Sequence, residues 1–242
     1  MIQDIGEHTF DNHRESYALY YEDHAALVRK YPDRIEFPKF RDIERLNEDI
    51  YEDAVYLFSI DGERYYLVEE INRERQSHFT MENTEIFRYA EPQYLAFAGI
   101  TGYQLHNWYQ SRRFCGKCGR RMKKDSKERM LYCESCHNME FPKICPAVII
   151  GVTDGDKILM SKYAGRTYKK YALLAGFTEI GETLEETVQR EVMEEVGLKV
   201  KNIRYYKSQP WSFTDTLLMG FYCDLDGGAA ITLDREELAM AE

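Results

Sequence analysis

The sequence predicts an α+β protein, and three observations carry that reading. Leu184 to Val196 has strong helical signals, opened by acidic residues after Gly181 and closed by Gly197. Strand-like runs surround it at Cys145 to Thr153, Lys157 to Met160, Val200 to Tyr206 and Leu217 to Tyr222. A cysteine-rich stretch precedes them and divides the chain into three parts, 1–110, 111–141 and 142–242.

In the first part, Glu15 to Lys30 has mixed helical spacing. Ala54 to Ile60 and Arg64 to Val68 are rich in β-formers and meet across Asp61-Gly62, a favoured tight turn. Pro92 to Trp108 is led by proline and then apolar at helical intervals through Leu95, Ile100 and Leu105, with Gly99 and Gly102 weakening it. A small α/β region of uncertain role follows, and nothing in it names a chemistry. In the third part, Cys145 to Thr153 is a continuous apolar run, suited to a buried strand that turns at Asp154-Gly155.

Composition narrows the function classes. With 44% hydrophobic and 14% aromatic residues in 242, the chain can bury a real core. A net charge of −10 argues against a generic nucleic-acid binder. The charge is uneven, however. Arg112, Arg113, Lys117, Arg120, Arg121, Lys123, Lys124, Lys127 and Arg129 face only Asp125 and Glu128, so this segment is +7 and the remainder −17. Met1 to Phe10 is polar and unlike a signal peptide, and no apolar run is long enough to span a membrane. A cytoplasmic protein without a membrane partner is the expectation.

Cys115-x2-Cys118 and, after fourteen residues, Cys133-x2-Cys136 have the spacing of two metal knuckles. Each knuckle presents two thiolates about 2.3 Å from one Zn²⁺, and two complete a tetrahedron. Gly116 and Gly119 offer the backbone freedom such turns need. Four cysteines leave no open position for water, so the zinc is expected to be structural. His137 reads as an exposed neighbour, and Cys145 and Cys223 as buried apolar residues.

On the predicted helix, Glu191, Glu194 and Glu195 are spaced i, i+3 and i+4 and share one face. At about 100° per residue, Glu195 falls in angle between Leu184 and Val188, within the stripe that should be buried. Partly desolvated carboxylates repel one another unless a cation neutralises them, and hard oxygen donors suit Mg²⁺ or Mn²⁺. Arg190 is placed to reach Glu194 or Glu186. A solvated acidic helix would be the bland reading of the same residues.

The whole segment resembles the Nudix box, G-x5-E-x7-R-E-U-x-E-E-x-G-U with U apolar. It matches at Gly176, Glu182, Arg190, Glu191, Val192, Glu194, Glu195, Gly197 and Leu198. The resemblance implies a Nudix fold, a mixed β-sheet sandwiched by helices, that hydrolyses a nucleoside diphosphate linked to another moiety. Ser208-Gln209-Pro210-Trp211-Ser212-Phe213-Thr214-Asp215-Thr216 is similar to the array S-Q-P-W-P-F-P-x-S of NADH pyrophosphatases, with Ser212 and Thr214 in place of prolines and Thr216 in place of serine. The four-cysteine ribbon ahead of the Nudix segment, Phe114 to Gly119 and Leu174 to Phe177 resemble the same family.

That family resemblance implies catalytic roles for Glu182, Arg190, Glu191, Glu194, Glu195 and Glu237, with Glu191, Glu194, Glu195 and Glu237 as ligands of Mg²⁺ or Mn²⁺. Glu237 is preferred to Glu236 because it precedes apolar Leu238. Phe141, Ala175, Phe177, Gln209, Trp211 and Phe213 are the implied substrate-binding residues. Phe141 stands where the family usually has tyrosine, which keeps a ring and loses a hydroxyl. The implied reaction is hydrolysis of NAD(H) to AMP and nicotinamide mononucleotide by a homodimer. Removal of an NAD cap from RNA is the second enzyme reading, supported by the basic segment. A third class is a regulator that binds a nucleotide without cleaving it, which has no need of the three glutamates together. The family ordinarily continues beyond the position of Glu242 with an aromatic pair and a closing helix, so a shortened C-terminus, with a weaker adenine pocket or dimer, is a further expectation.

Overall fold

The computed structural model of the chain describes residues 13–46, 49–72, 78–166 and 168–242. The polar stretch Met1 to Phe10 lies outside them. Two units are formed, Met1–Lys143 and Ile144–Glu242.

In the first unit, the helical spacing of Glu15 to Lys30 is overturned: the segment forms strands Tyr17–Leu19, Tyr21–Glu22 and Ala25–Lys30. Tyr21 pairs with Ala26 and Glu22 with Ala25, so Asp23 and His24 make a two-residue hairpin turn. Asp23 takes φ 51°, a left-handed value that aspartate tolerates because its short side chain can bond locally. Tyrosine and valine on a half-buried pleat outweigh the weak helical period here. The second hairpin forms as read, with Val55–Ile60 antiparallel to Glu63–Leu67 and both turn residues, Asp61 and Gly62, at positive φ.

The helix Gln93–Ser111 spans the predicted segment and extends it. Its two glycines have a packing reason. A β-carbon on Gly99 would lie 2.6 Å from the Phe87 ring, and one on Gly102 would lie 2.5 Å from Leu19 and the Tyr21 hydroxyl. That hydroxyl donates to the Gly99 carbonyl at 2.7 Å. Close seating against the sheet offsets the roughly 1 kcal/mol each glycine costs in a helix.

The cysteine segment folds within the same unit as a three-stranded sheet of Lys123–Lys124, Leu131–Tyr132 and Met139–Glu140. Its small core joins Trp108, Cys115, Met122, Leu131 and Cys133. Lys124 pairs with Glu69 at 2.8 Å, and Arg129 donates to the Leu57 carbonyl, which ties the segment to the N-terminal hairpin.

In the second unit, Cys145–Asp154 is the central strand. It runs parallel to Thr216–Leu225 along one side. On its other side it pairs antiparallel with Leu174–Phe177 at residues 147–150 and with Lys157–Ile158 at residues 153–154. Val200–Trp211 extends the sheet beyond Thr216–Leu225 and ends it. The sheet is therefore mixed. Ser161–Tyr163 and Leu238–Ala241 form a separate antiparallel pair, so the predicted strand to Met160 ends early at Ile158. Ser208 to Trp211 continues the Val200–Trp211 strand, and only Ser212–Thr214 forms a turn.

The helix Leu184–Val196 has the predicted bounds. Thr183 caps it: its hydroxyl accepts from the Glu186 amide at 3.2 Å, while Glu186 accepts from the Thr183 amide at 2.8 Å. Gly197 ends it at φ 69°. Val188, Val192 and Val196 are fully buried against Val148, Ile150 and Leu174, and burying each valine stabilises the unit by roughly 1.5–3 kcal/mol. Cys223 is buried as expected, but Cys145 is only half-buried because it sits at the open end of its strand. Among the described residues no helix is long and apolar enough to cross a membrane.

Candidate active site and metal centre

The register of the 184–196 helix decides which glutamates are dry. Val188 and Val192 face the core, and Glu191 and Glu195 flank them on that side, with relative exposures of 8% and 3%. The Glu194 side chain is exposed. The predicted shared face is thus a gradient from core to solvent.

Arg190 organises the array. Its guanidinium donates to Glu182 through Nε at 2.6 Å and Nη2 at 3.0 Å. It also reaches Glu191 at 2.7 Å, Glu194 at 2.9 Å and the Phe177 carbonyl at 2.8 Å. The anticipated partner Glu186 is instead consumed by the Thr183 cap. Glu182 is further held by the Thr187 hydroxyl at 3.0 Å and the Glu179 amide at 3.1 Å. The Arg190 hydrogen bond above all pulls the Glu182 carboxyl down to about 2. Arg190 in turn is raised above its ordinary value, chiefly by its bond to Glu182.

The buried pair moves the other way. Burial raises Glu191 above the usual carboxylate range, against the hydrogen bond from Arg190. Glu195 is pushed up to about 7, mainly by burial and then by the charges of Glu191 and Glu237, with the Ala175 backbone amide opposing. Burial raises Tyr163 too, and the influences of Glu195, Glu237 and Arg166 on it place all four groups in one neighbourhood. The Arg166 guanidinium lies 4.3 Å from the centre of the Tyr163 ring. Neither Thr187, Tyr163 nor Arg166 is marked by spacing in the sequence; the Thr183-x-x-Glu186 cap was legible there and was missed.

The strand Leu174–Phe177 provides the opposite wall. A β-carbon on Gly176 would lie 1.9 Å from Glu191 Cδ, so the carboxyl occupies the space above that glycine. Ala175 is half-buried, and Phe177 is exposed. Gln209 and Trp211 stand on the Val200–Trp211 strand opposite Leu218 and Thr216. The Trp211 and Phe213 rings lie 5.3 Å apart, tilted by 47°. Phe141 belongs to the first unit, where its ring is exposed. Glu237 is exposed, and its backbone carbonyl accepts from Ala164 at 2.8 Å.

Buried carboxylates of one charge, backed by a single arginine, make a donor set of hard oxygens suited to a divalent cation. Glu191 and Glu195, with Glu194 and Glu237, are the residues that could hold it. Among the described residues, only the four cysteines bring at least three candidate ligand atoms within 4.8 Å of one another.

The cysteines fit zinc. Cys115 and Cys136 sulfurs are 3.5 Å apart, as are those of Cys118 and Cys133. Zn–S bonds of about 2.3 Å require sulfur spacings of roughly 3.8 Å. The two knuckles have matching backbones: Gly119 donates to the Cys115 carbonyl at 2.8 Å and His137 to the Cys133 carbonyl at 2.8 Å. Both donors have positive φ, 73° and 58°. Gly119 takes this conformation without the strain that His137 bears, and Gly116 has no such φ. The Cys136 backbone amide pulls the Cys133 thiol down to about 7, favouring the thiolate a metal requires. His137 is exposed and outside the cluster.

Residues 143–242 match the family described as NUDIX domain, and residues 110–141 match the NADH pyrophosphatase zinc ribbon domain. Residues 143–242 thus form a Nudix domain, preceded by a ribbon of the NADH pyrophosphatase type. The NAD-capped RNA hydrolase NudC of Photorhabdus laumondii is 43% identical over 141 residues, which cover 58% of this chain and 54% of that protein. The NAD-capped RNA hydrolase NudC of an Enterobacter species is 44% identical over 140 residues, with 58% and 54% covered. The chain thus spans about half the length of these relatives. A NUDIX hydrolase structure from Nitrosomonas europaea is 25% identical, with a TM-score of 0.46, covering 54% of this chain and 76% of that one.

Proposed function

We propose that the protein is a divalent-metal-dependent pyrophosphatase that hydrolyses the diphosphate of NAD(H) to AMP and nicotinamide mononucleotide. The observation that carries this reading is the pair of buried glutamates, Glu195 and Glu191, the second of which Arg190 holds over Gly176. A nucleotide-binding regulator would have no use for two carboxylates kept dry at such cost. The bound cation supplies Lewis acidity at phosphorus and lowers the pKa of the attacking water.

The chain's own residues supply the rest. Arg190 and Glu182 fix the helix face so that Glu191 and Glu194 keep their direction. Burial keeps the Glu195 carboxyl raised to about 7, and a divalent cation held there would favour its ionised form. Glu237 is either a further ligand or the base that takes the proton of the attacking water. Trp211, Phe213 and Phe177 offer ring faces to the two bases of a dinucleotide, and Gln209 and Ala175 border that surface. We assign Phe141 to the same substrate-binding set, and the functional unit to a homodimer of chains with a ribbon at 111–141 and a Nudix domain from 142.

A second reading is removal of an NAD cap from RNA, the reaction in the names of the relatives. Within the basic segment, Lys123 is paired with Glu134 at 2.7 Å and Lys124 with Glu69 at 2.8 Å. Arg113, Lys117, Arg120 and Arg121 are exposed and better placed to meet an RNA backbone. The deciding experiment incubates the protein with Mn²⁺ or Mg²⁺ and NADH, NAD or NAD-capped RNA, then separates products. AMP with the mononucleotide from the free dinucleotide supports the first reading. Faster release from the capped RNA, lost when Arg120 and Arg121 become glutamate, supports the second. No cleavage of any of the three, with either metal, would sink both.

A further inference from the structure

The N-terminal unit contains a cleft that the hydrolase reading leaves unused. Its volume is about 890 Å³, within the range of small-ligand pockets. Five arginines and Lys39 line it against Glu36, Asp42 and Glu44. Glu15, Asp33 and Glu63, outside that lining, pair with Arg41, Arg34 and Lys39 as well, so most of these cations are already partnered.

The cations differ in how they are held. Arg14 is clamped by Glu44 through bonds of 3.1 and 2.8 Å. Arg34 rests on Glu36 at 3.4 Å. Arg29 has no ion pair among the described residues; its guanidinium lies 5.0 Å from the Tyr31 ring, and that of Arg34 lies 4.3 Å from the same ring. Both guanidinium groups therefore rest against one aromatic ring, and planar forks of this kind match phosphate oxygens. The cleft also holds flat surfaces. Tyr17 is stacked on Tyr65 at 4.7 Å, and Tyr94 is 48% exposed near the start of the 93–111 helix.

We propose that this cleft is a second ligand site, for a nucleoside phosphate. Arg29 and Arg34 hold the phosphate and Tyr94 takes the base. The nucleotide is either free or part of an RNA strand; both present the same chemistry to the cleft. The site stands apart from the hydrolase reading, and its test reads binding alone.

The full chain is titrated with AMP, inorganic phosphate and a 5′-phosphorylated tetraribonucleotide in buffer free of Mg²⁺ and Mn²⁺. Hydrogen exchange of wild-type protein then maps where each ligand protects amides. Protection by AMP of Ala25–Lys30 and Ile35–Glu36, persisting in Trp211→Ala, is the expected result. Arg29→Ala with Arg34→Ala should weaken this binding by about tenfold or more. Protection by the tetranucleotide but not by AMP supports the site and makes RNA the source of its ligand. Neither AMP nor the tetranucleotide binding tighter than inorganic phosphate, or no protection of these strands by any probe, overturns the proposal. The wild-type map decides even if the double variant misfolds.

Discussion

The carboxyl group of Glu191 fills the space in which a β-carbon of Gly176 would stand, 1.9 Å from Cδ. Gly176 pairs with Val148 in the sheet and cannot retreat. Gly176→Ala is therefore expected to displace Glu191 rather than the strand. Turnover should fall by about 100-fold or more, as positioning losses of this kind do, while stability falls by about 1–3 kcal/mol from overpacking. A folded Gly176→Ala protein with wild-type turnover would mean that the position of Glu191 does not matter to the reaction.

Glu195 makes the stability of the metal-free protein depend on pH. Its carboxyl is raised from 4.5 to about 7 in the fold. Between those values the unfolded chain has lost the proton and the native state has kept it. Stability therefore falls as pH rises through this window, and the part due to Glu195 is greatest below about 4.5. Thermal unfolding followed at several pH values without divalent metal should show the decline. Glu195→Gln should flatten it, and added Mn²⁺ should remove it. An identical pH slope in wild type and Glu195→Gln would refute the assignment.

Arg190 serves four acceptors, and lysine cannot replace it. Arg190→Lys keeps the charge but loses the fork that grips both Glu182 oxygens. The expected cost is about 1–3 kcal/mol, with a fall of about tenfold or more in turnover as Glu191 and Glu194 lose direction. Glu182 gives a sign check of its own. Its lowered carboxyl contributes stability above about 4.5 that is lost as pH falls toward about 2. Glu182→Gln should narrow the difference between neutral and acid stability; if it leaves the acid limb of the denaturation curve unchanged, the Arg190 bond is not what lowers Glu182.

The cysteine site predicts one zinc per chain, measurable by atomic emission. Trp108 packs in the ribbon core with Cys115 and Cys133, so its emission reports on the site. Chelation, or Cys118→Ser, should shift that emission to the red, read most cleanly in Trp211→Phe. The folding free energy of such ribbons comes largely from the metal. An unshifted spectrum after complete zinc removal would show that the ribbon folds without it.

Trp211 at the strand end and Phe213 in the turn after it bring their rings to 5.3 Å, tilted by 47°. Trp211→Ala should raise KM for NADH by about tenfold, in keeping with the 1–3 kcal/mol of a base–aromatic stack, and change kcat much less. The reverse split, with kcat reduced and KM unchanged, would move Trp211 from binding to positioning.

The Nudix helix and the cysteine knuckles were legible from the sequence because their information is local. Thr183, Gly197 and the valine stripe set the helix by short-range hydrogen bonding and a 3.6-residue period. The Cys-x2-Cys pairs set their turns the same way. Glu15 to Lys30 forms strands against its helical spacing for the converse reason. Its strands are stabilised by partners as far off as Glu63–Leu67 and Thr80–Asn83, and a distant partner leaves no period in the segment itself. Spacing placed Glu191, Glu194 and Glu195 together, but only tertiary packing made Glu191 and Glu195 dry and left Glu194 wet. Desolvation depends on which neighbours cover a carboxylate, and Gly176, Ala175 and Glu237 arrive from strands and loops far along the chain. The same holds for the basic cleft of the first unit, whose arginines come from several elements and gather only when the sheets close.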